Sequence, residues 1–325
     1  MRMSRRELIF GIPLLLCALG AGFQWGMTRW EAQRFPAPGR MVDIGGRRLH
    51  LLCAGAGAPT VILEPSGLGS VLQYAAVQSA LAKDQRVCAY DRAGQGWSDP
   101  SPDPADALHL SADLAALLSR SGAPAPYLLV ASSAGGITVD MYARQHLDQV
   151  AGLVFLDALT GEVAHSLPGI DRVTAAACRA RTASWFGLPR LLDPLGLRDL
   201  PPGERARAIA MTYRTSTLQT ACSIMKSIED SYWQIAKTQP FPQPLPLVVL
   251  THDDPAGIMP GLDDGKELAE FEMFWQMLQQ GVAHQKGYGE YRRVHSRHLI
   301  ATENPDAVIE VVRRLSRIYR AAGSA

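Results

Sequence analysis

The segment Tyr127–Arg144, YLLVASSAGGITVDMYAR, constrains this 325-residue chain more than any other, because an apolar strand runs straight into small residues around two serines and out onto a helix. A hydroxyl mounted on such a turn is lifted clear of the strand. The helix that follows aims its unpaired N–H groups and positive dipole end at the group the hydroxyl attacks. The turn crowds the residues on either side of the hydroxyl, so the pattern reads small, any, nucleophile, any, small. Ala131, Ser132, Ser133, Ala134 and Gly135 satisfy it with Ser133 at the centre. Centring it on Ser132 would put the β-branched Val130 where a small residue is needed. Gly135 and Gly136 suit the close approach of helix to strand. The plain alternative is an ordinary strand-to-helix turn of a parallel sheet.

The surrounding order argues for more than a turn. TVILE leads into PSGLGS, RVCAY into DRAGQGWSD, VAGLVFL into Asp157, PLVVLTH into two aspartates, and YRRV into HSRHLI. Strands that alternate with helical stretches, each ending in a loop of small or polar residues, describe a mostly parallel sheet with its working loops on one edge. On these segments the chain resembles the α/β-hydrolase family from about Met41 to the C-terminus. The segment after Asp157, where such proteins insert a variable cap, is the exception. The resemblance implies an α/β fold: a mostly parallel eight-stranded sheet flanked by helices, with a helical cap inserted. Residues 36–159 and 244–325 would form the core and residues 160–243 the cap.

Carried over residue by residue, the resemblance gives each loop a role. Ser133 is the nucleophile. Ser66, Gly67 and Leu68 stand where the family has a His-Gly pair before its oxyanion-hole residue, so the backbone N–H groups of Leu68 and Ala134 would bind the oxyanion. Asp91 and Arg92, in DRAGQGWSD, read as architectural. A serine needs a base whose unperturbed pKa lies near neutrality. Of eight histidines, His298 follows the last strand and precedes a helix with Pro305 in its first turn, the family's place for that base. His295 reads as a strand-end residue. His252 lies beside the candidate acids, and His50, His109, His146, His165 and His284 have no placement that suggests a role. The acid is Asp157, where some serine lipases of this fold and a subgroup with a similar YDRAG loop carry it, or Asp254, on the strand where most of the family does.

The departures from the family pattern are Ser132 before the nucleophile, Ala131 in place of glycine and Ser66 in place of histidine. None removes a reacting group. The resemblance therefore implies a serine hydrolase cleaving a carboxylic ester through an acyl-enzyme, of the carboxylesterase or lipase kind. A serine argues against the epoxide-hydrolase and dehalogenase branches, which use aspartate. Acyl transfer uses the same triad and stays open. A catalytically silent binding or receptor-like protein on the same fold is the alternative from another class. A redox sensor would need an exposed thiol of low pKa, which nothing marks.

With 47% hydrophobic and 19% charged residues, the chain can bury one large core. A net charge of +1 without a basic run beyond the N-terminus argues against nucleic acid as a partner. No CxxC, HExxH or paired-histidine spacing marks a metal, and no cofactor motif appears; SGLGS reads as a turn. MRMSRR precedes an uncharged run from Leu8 to Met27, about the length that crosses a hydrocarbon core. It predicts a single-pass anchor. Ala18, Gly20 and Ala21 leave a signal peptide cleaved near residue 21 as the alternative. By the positive-inside rule the catalytic domain would face outward, periplasmic or extracellular. Leu15 and Leu16 are too bulky for a lipoprotein box at Cys17.

Outside the anchor lie four cysteines, an even number for an oxidising compartment. The family's sheet order makes the strands of Cys53 and Cys88 neighbours, and Cys178 and Cys222 both fall in the cap, which suggests those two pairings; buried thiols are the alternative. The cap reads as amphipathic helices broken by proline and glycine, with Phe241–Pro246 as the return to the sheet. Trp185, Phe186, Met225 and Trp233 are its candidate substrate-lining residues, for a small or lipid-like ester. KELAEFEMFWQMLQQ predicts a further helix before the last strand.

Overall fold

The computed structural model describes residues 5–239, 245–256, 265–284 and 289–322. Residues 1–4 of the basic leader and the Phe241–Pro244 part of the proline-rich return lie outside them. Among the described residues, eight strands form one sheet. They are β1 (Arg40–Asp43), β2 (Arg48–Ala54), β3 (Thr60–Glu64), β4 (Val87–Tyr90), β5 (Tyr127–Ser132), β6 (Val150–Leu156), β7 (Leu247–His252) and β8 (Gly289–Val294). Their order is β1-β2-β4-β3-β5-β6-β7-β8, with β1 and β2 antiparallel to their neighbours and the rest parallel.

Helices cover both faces of the sheet. Helix α1 (Arg5–Arg34) precedes it, and α2 (Ala75–Leu81), α3 (Ala107–Ser121) and α4 (Gly135–Gln145) connect its central strands. Among the described residues, six α-helices lie between β6 and β7: α5 (Gly161–Ser166), α6 (Ile170–Ser184), α7 (Leu188–Leu192), α8 (Pro202–Thr212), α9 (Thr215–Lys226) and α10 (Ile228–Ala236). Helix α11 (Gly265–His284) precedes β8, and α12 (Ile300–Glu303) and α13 (Pro305–Ala322) follow it.

Local rules account for these elements. The Asp106 carboxylate caps α3 through the His109 N–H, and Gly122 ends it at φ 69°. Pro305 opens α13, whose Val308, Val311, Val312 and Leu315 fall at helical spacing and are buried. On β5 the side chains alternate: Leu129 and Ala131 pack with α3 and α4, while Leu128 and Val130 pack with α2 and α13. A strand buried on both faces reads as a continuous apolar run, as YLLVA does.

The disulfide suggestion matches the structure. Cys53 and Cys88 are paired residues of β2 and β4 and are bridged; Cys178 and Cys222 bridge α6 to α9. The carboxylate that ties the first turn of the helical insert is Asp140 of α4, which accepts from the Gly161 N–H at 3.1 Å and pairs with Arg144.

Helix α1 leans on the insert. Its Gln24 donates to the Tyr213 carbonyl at 3.0 Å and accepts from Arg190 of α7 at 2.7 Å, and Arg190 also forms a buried ion pair with Glu31. At Gly20 a Cβ would lie 2.6 Å from the Phe186 carbonyl oxygen, so glycine is what allows the helix to approach this closely.

Candidate active site

Parallel strands deliver their following loops to one edge of a sheet. Ser133 follows β5, Asp157 follows β6, His252 ends β7 and His298 follows β8. Ser133 adopts φ 51° and Asp157 φ 46°, left-handed backbone that costs a non-glycine residue energy and persists only when its surroundings hold it. Those surroundings are specific. The Ser133 N–H donates to the Leu156 carbonyl at 3.0 Å, and the Leu159 N–H donates to the Ser133 carbonyl at 2.8 Å. A Cβ at Gly135 would lie 2.6 Å from the Pro65 carbonyl oxygen, and one at Gly136 would lie 2.7 Å from that of Leu159. The two glycines let α4 start directly against the loops after β3 and β6.

His298 Nε2 lies 2.9 Å from Ser133 Oγ. Ser132 is fully buried, and its hydroxyl has no partner among the described residues. On the other side of His298, Nδ1 is 3.4 Å from Asp157 Oδ2, close enough for an ion pair but not aligned as a hydrogen bond. Asp157 is completely buried and accepts from Thr251 Oγ1 at 2.6 Å and from Trp275 Nε1 at 3.0 Å. Its Oδ2 also meets His252 Nδ1 at 2.6 Å, and His252 Nε2 lies 2.9 Å from Glu272 of α11. Asp254 is exposed and accepts from the Ala256 N–H of its own loop. Asp253 pairs with the exposed His295.

Behind the loop after β3, Arg92 and Glu64 form a buried ion pair. Arg92 also donates to the carbonyls of Pro65 and Ser66 and to Gln95 Oε1 at 2.7 Å, while Gln95 donates to the Gly67 carbonyl at 2.5 Å. The loop carrying Leu68 is thus fixed from beneath, and a Cβ on Gly67 would lie 3.4 Å from Ala134 Cβ across the elbow. Asp91, also fully buried, accepts from His50 Nδ1 at 2.7 Å and from the Val71 N–H at 2.8 Å.

A family model described as alpha/beta hydrolase fold matches residues 59–183. An esterase from Thermogutta terrifontis superposes with a TM-score of 0.64 at 19% identity, over 86% of this chain and 98% of that one. The Cif epoxide hydrolase from Acinetobacter nosocomialis does so with a TM-score of 0.64 at 15% identity, over 91% of this chain and 96% of the other. The chain is an α/β-hydrolase-fold protein. An uncharacterized protein of Schizosaccharomyces pombe is 31% identical over 152 residues, 38% of this chain and 28% of that one. The matches to curated relatives span between 18% and 49% of those proteins' lengths.

The electrostatics of this α/β-hydrolase-fold site centre on an imidazole that sequence reasoning left without a role. Burial alone would lower the pKa of His252. Its hydrogen bonds to Asp157 and Glu272, with the charges of both carboxylates, outweigh that and raise it to about 9. For Asp157 burial would raise the carboxyl, but contact with His252 first and His298 second holds it well below the usual carboxylate range. The shift favours the imidazolium form of His252 at neutral pH, and the Asp157 carboxylate faces both histidines. Asp157, His252 and His298 each bring one donor atom within 4.8 Å of the others, which is metal-ligating proximity. These donors are engaged pairwise, His252 Nδ1 with Asp157 and His298 Nε2 with Ser133.

A stability dependence follows from the sign of the His252 shift. A raised folded-state pKa contributes stability in full below the unfolded value near 6.5, and that contribution is lost as pH rises through about 9. Glu272→Gln removes one of the two carboxylates. The melting temperature should fall most, relative to the parent, below about pH 6.5, and the gap should narrow above pH 9. A gap that stays constant from pH 6 to 10 would contradict the assignment.

The remaining candidates sit around the insert. Trp185 and Trp233 are exposed, the latter donating to Glu229 at 2.7 Å. Phe186 is half-buried with its backbone against Gly20. Met225 is partly buried against the core cluster.

Proposed function

We propose that this protein is a serine hydrolase that cleaves a carboxylic ester through an acyl-enzyme. The observation that carries the reading is the 2.9 Å contact between Ser133 Oγ and His298 Nε2, made at a left-handed turn that opens a helix. Ser133 Oγ attacks the ester carbonyl while His298 Nε2 takes its proton. The tetrahedral oxyanion is held by the N–H groups of Leu68 and Ala134. The carbon–oxygen bond to the alcohol then breaks, and His298 returns the proton to the leaving oxygen. Water, deprotonated by the same nitrogen, attacks the acyl-enzyme, releasing the acid and restoring Ser133. Asp157 orients His298 and stabilises the imidazolium. Its full burial and its position beside His298 favour it over Asp254, whose carboxylate stays within its own loop. The likeness to an esterase supports the fold's suitability for this chemistry.

Residues 160–243 form the cap in this reading, over a core of residues 36–159 and 244–325, and Trp185, Phe186, Met225 and Trp233 are candidates for contact with the acyl or alcohol group. Helix α1 is the membrane anchor, with the catalytic domain outside the cytoplasm. Its Gly11–Arg34 portion is long and apolar enough to cross a membrane. Two disulfides in the remainder of the chain favour an oxidising compartment.

Labelling of the full-length protein with a fluorophosphonate, followed by peptide mass spectrometry, tests the chemistry. The adduct is expected on Ser133. An adduct on Ser132 would move the nucleophile by one residue, and no adduct on folded protein would favour a silent binding protein.

A further inference from the structure

The surface of the helical insert carries an apolar patch beginning at Trp185 whose exposure to solvent the proposed ester chemistry does not account for. Trp185 (57% exposed), Leu188, Leu191, Leu192 (74%) and Leu195 all face solvent within an eleven-residue stretch around α7. Scattered apolar residues on a surface need no explanation, but five large exposed ones within eleven residues point to an interaction site.

Its position along α1 identifies the partner. The segment bearing the patch touches α1 at Gly20 and Phe23: a Cβ on Gly20 would meet Phe186, and one on Gly187 would lie 2.7 Å from the Phe23 ring. Both residues are inside the uncharged run from Leu8 to Met27. Further along α1 stand exposed Trp25 and Trp30, with the Arg29 guanidinium 4.6 Å above the Trp25 ring and that of Arg34 5.4 Å above the Trp30 ring. Tryptophan and arginine together are interface anchors. At ~1.5 Å rise per residue, Gly20 lies roughly 7 Å to the membrane side of Trp25. That is the depth to which interfacial elements bury their apolar faces, about 5–10 Å. The docking is held further along by Gln24 and by the buried Arg190–Glu31 ion pair, so the Phe186 end of the segment is fixed at the level of Gly20 and its Arg190 turn at the level of Gln24 to Glu31. On the membrane side, α1 itself exposes Leu14, Leu15, Leu16 and Leu19.

We propose that the Trp185–Leu195 segment is a membrane-immersed surface whose partner is the outer leaflet of the bilayer that α1 crosses. This rests on the reading of α1 as an anchor. The insert then lies on the lipid beside its own helix, and the esters it meets first are those dissolved in the leaflet.

The test uses the full-length protein in vesicles of phosphatidylcholine with a quarter phosphatidylglycerol. A nitroxide is placed on the free thiol of Cys17 in the parent, and on Leu192→Cys in a Cys17→Ser background; the other four cysteines are in disulfides. Power saturation compares each label's access to oxygen, which enters lipid, with its access to a water-soluble nickel chelate. Both labels should favour oxygen, with nickel access at Leu192→Cys at least fivefold below that of a water-exposed label. A lipid signature at Cys17 with free nickel access at Leu192→Cys would overturn the immersed patch and leave the anchor intact. Nickel access at both sites would remove the anchor and this inference with it. A Leu192→Cys label shielded from both relaxers would assign the patch to protein contact, such as a second copy, and overturn the proposal.

Discussion

Ser133→Ala is expected to reduce kcat toward a p-nitrophenyl ester by about 10⁴–10⁶ while leaving KM within a few-fold of the parent. The residual activity would come from groups that bind the substrate and the oxyanion, which do not depend on the hydroxyl. The substitution removes one oxygen from a half-buried site and keeps the backbone bonds to Leu156 and Leu159, so the fold should be unaffected. Ser132→Ala is the matched control. Its hydroxyl is buried without a partner among the described residues, so its removal should leave kcat nearly unchanged and stability equal or slightly higher. Equal losses in the two variants would show that the effect belongs to the turn and not to a nucleophile.

The second large effect is on stability. Arg92→Leu should destabilise the protein by about 3–5 kcal/mol at neutral pH, measured by denaturant unfolding, because it leaves the buried Glu64 carboxyl without its cationic partner, with the Tyr90 hydroxyl still donating to it. Burial already raises the Glu64 carboxyl, with Arg92 as the chief opposing influence. Without that opposition Glu64 would take up a proton more readily, so the loss should shrink as pH falls. The double variant Glu64→Gln/Arg92→Leu should recover part of the loss, since the buried charge is gone. Activity should not recover with it, because the Pro65 and Ser66 carbonyls still lack the guanidinium that holds their loop. Equal stability of the single and double variants would rule out an unpaired charge as the cause.

The parts of this molecule that can be read from sequence are those fixed by neighbours in the chain. The crowding rule at Ala131–Gly135 locates the turn because strand, turn and helix are consecutive, and the alternation of apolar runs with loops describes the sheet. The position of His298 before Pro305 is likewise local. The choice between Asp157 and Asp254 is not, since both follow apolar strands and only packing decides which carboxylate is enclosed. Nothing near His252 announces that Glu272, twenty residues later on α11, closes its far side. Gln24 lies within the uncharged run and Glu31 just beyond it, and nothing in the sequence marks either as a packing contact. Their partners, Arg190 and the carbonyl of Tyr213, lie more than 150 residues away, beyond any periodicity.

The two left-handed residues have a consequence for how the site comes into being. Ser133 and the loop of Asp157 are laced by main-chain bonds, Ser133 to Leu156 and Leu159 back to Ser133, and the Asp157 N–H is in turn bonded to Leu250 of the next strand. Neither turn can reach its conformation until β5, β6 and β7 are in register. On the proposed reading of Ser133 as nucleophile, a competent hydroxyl would be acquired only once the sheet's centre has closed, and shorter nascent forms of the chain would lack it.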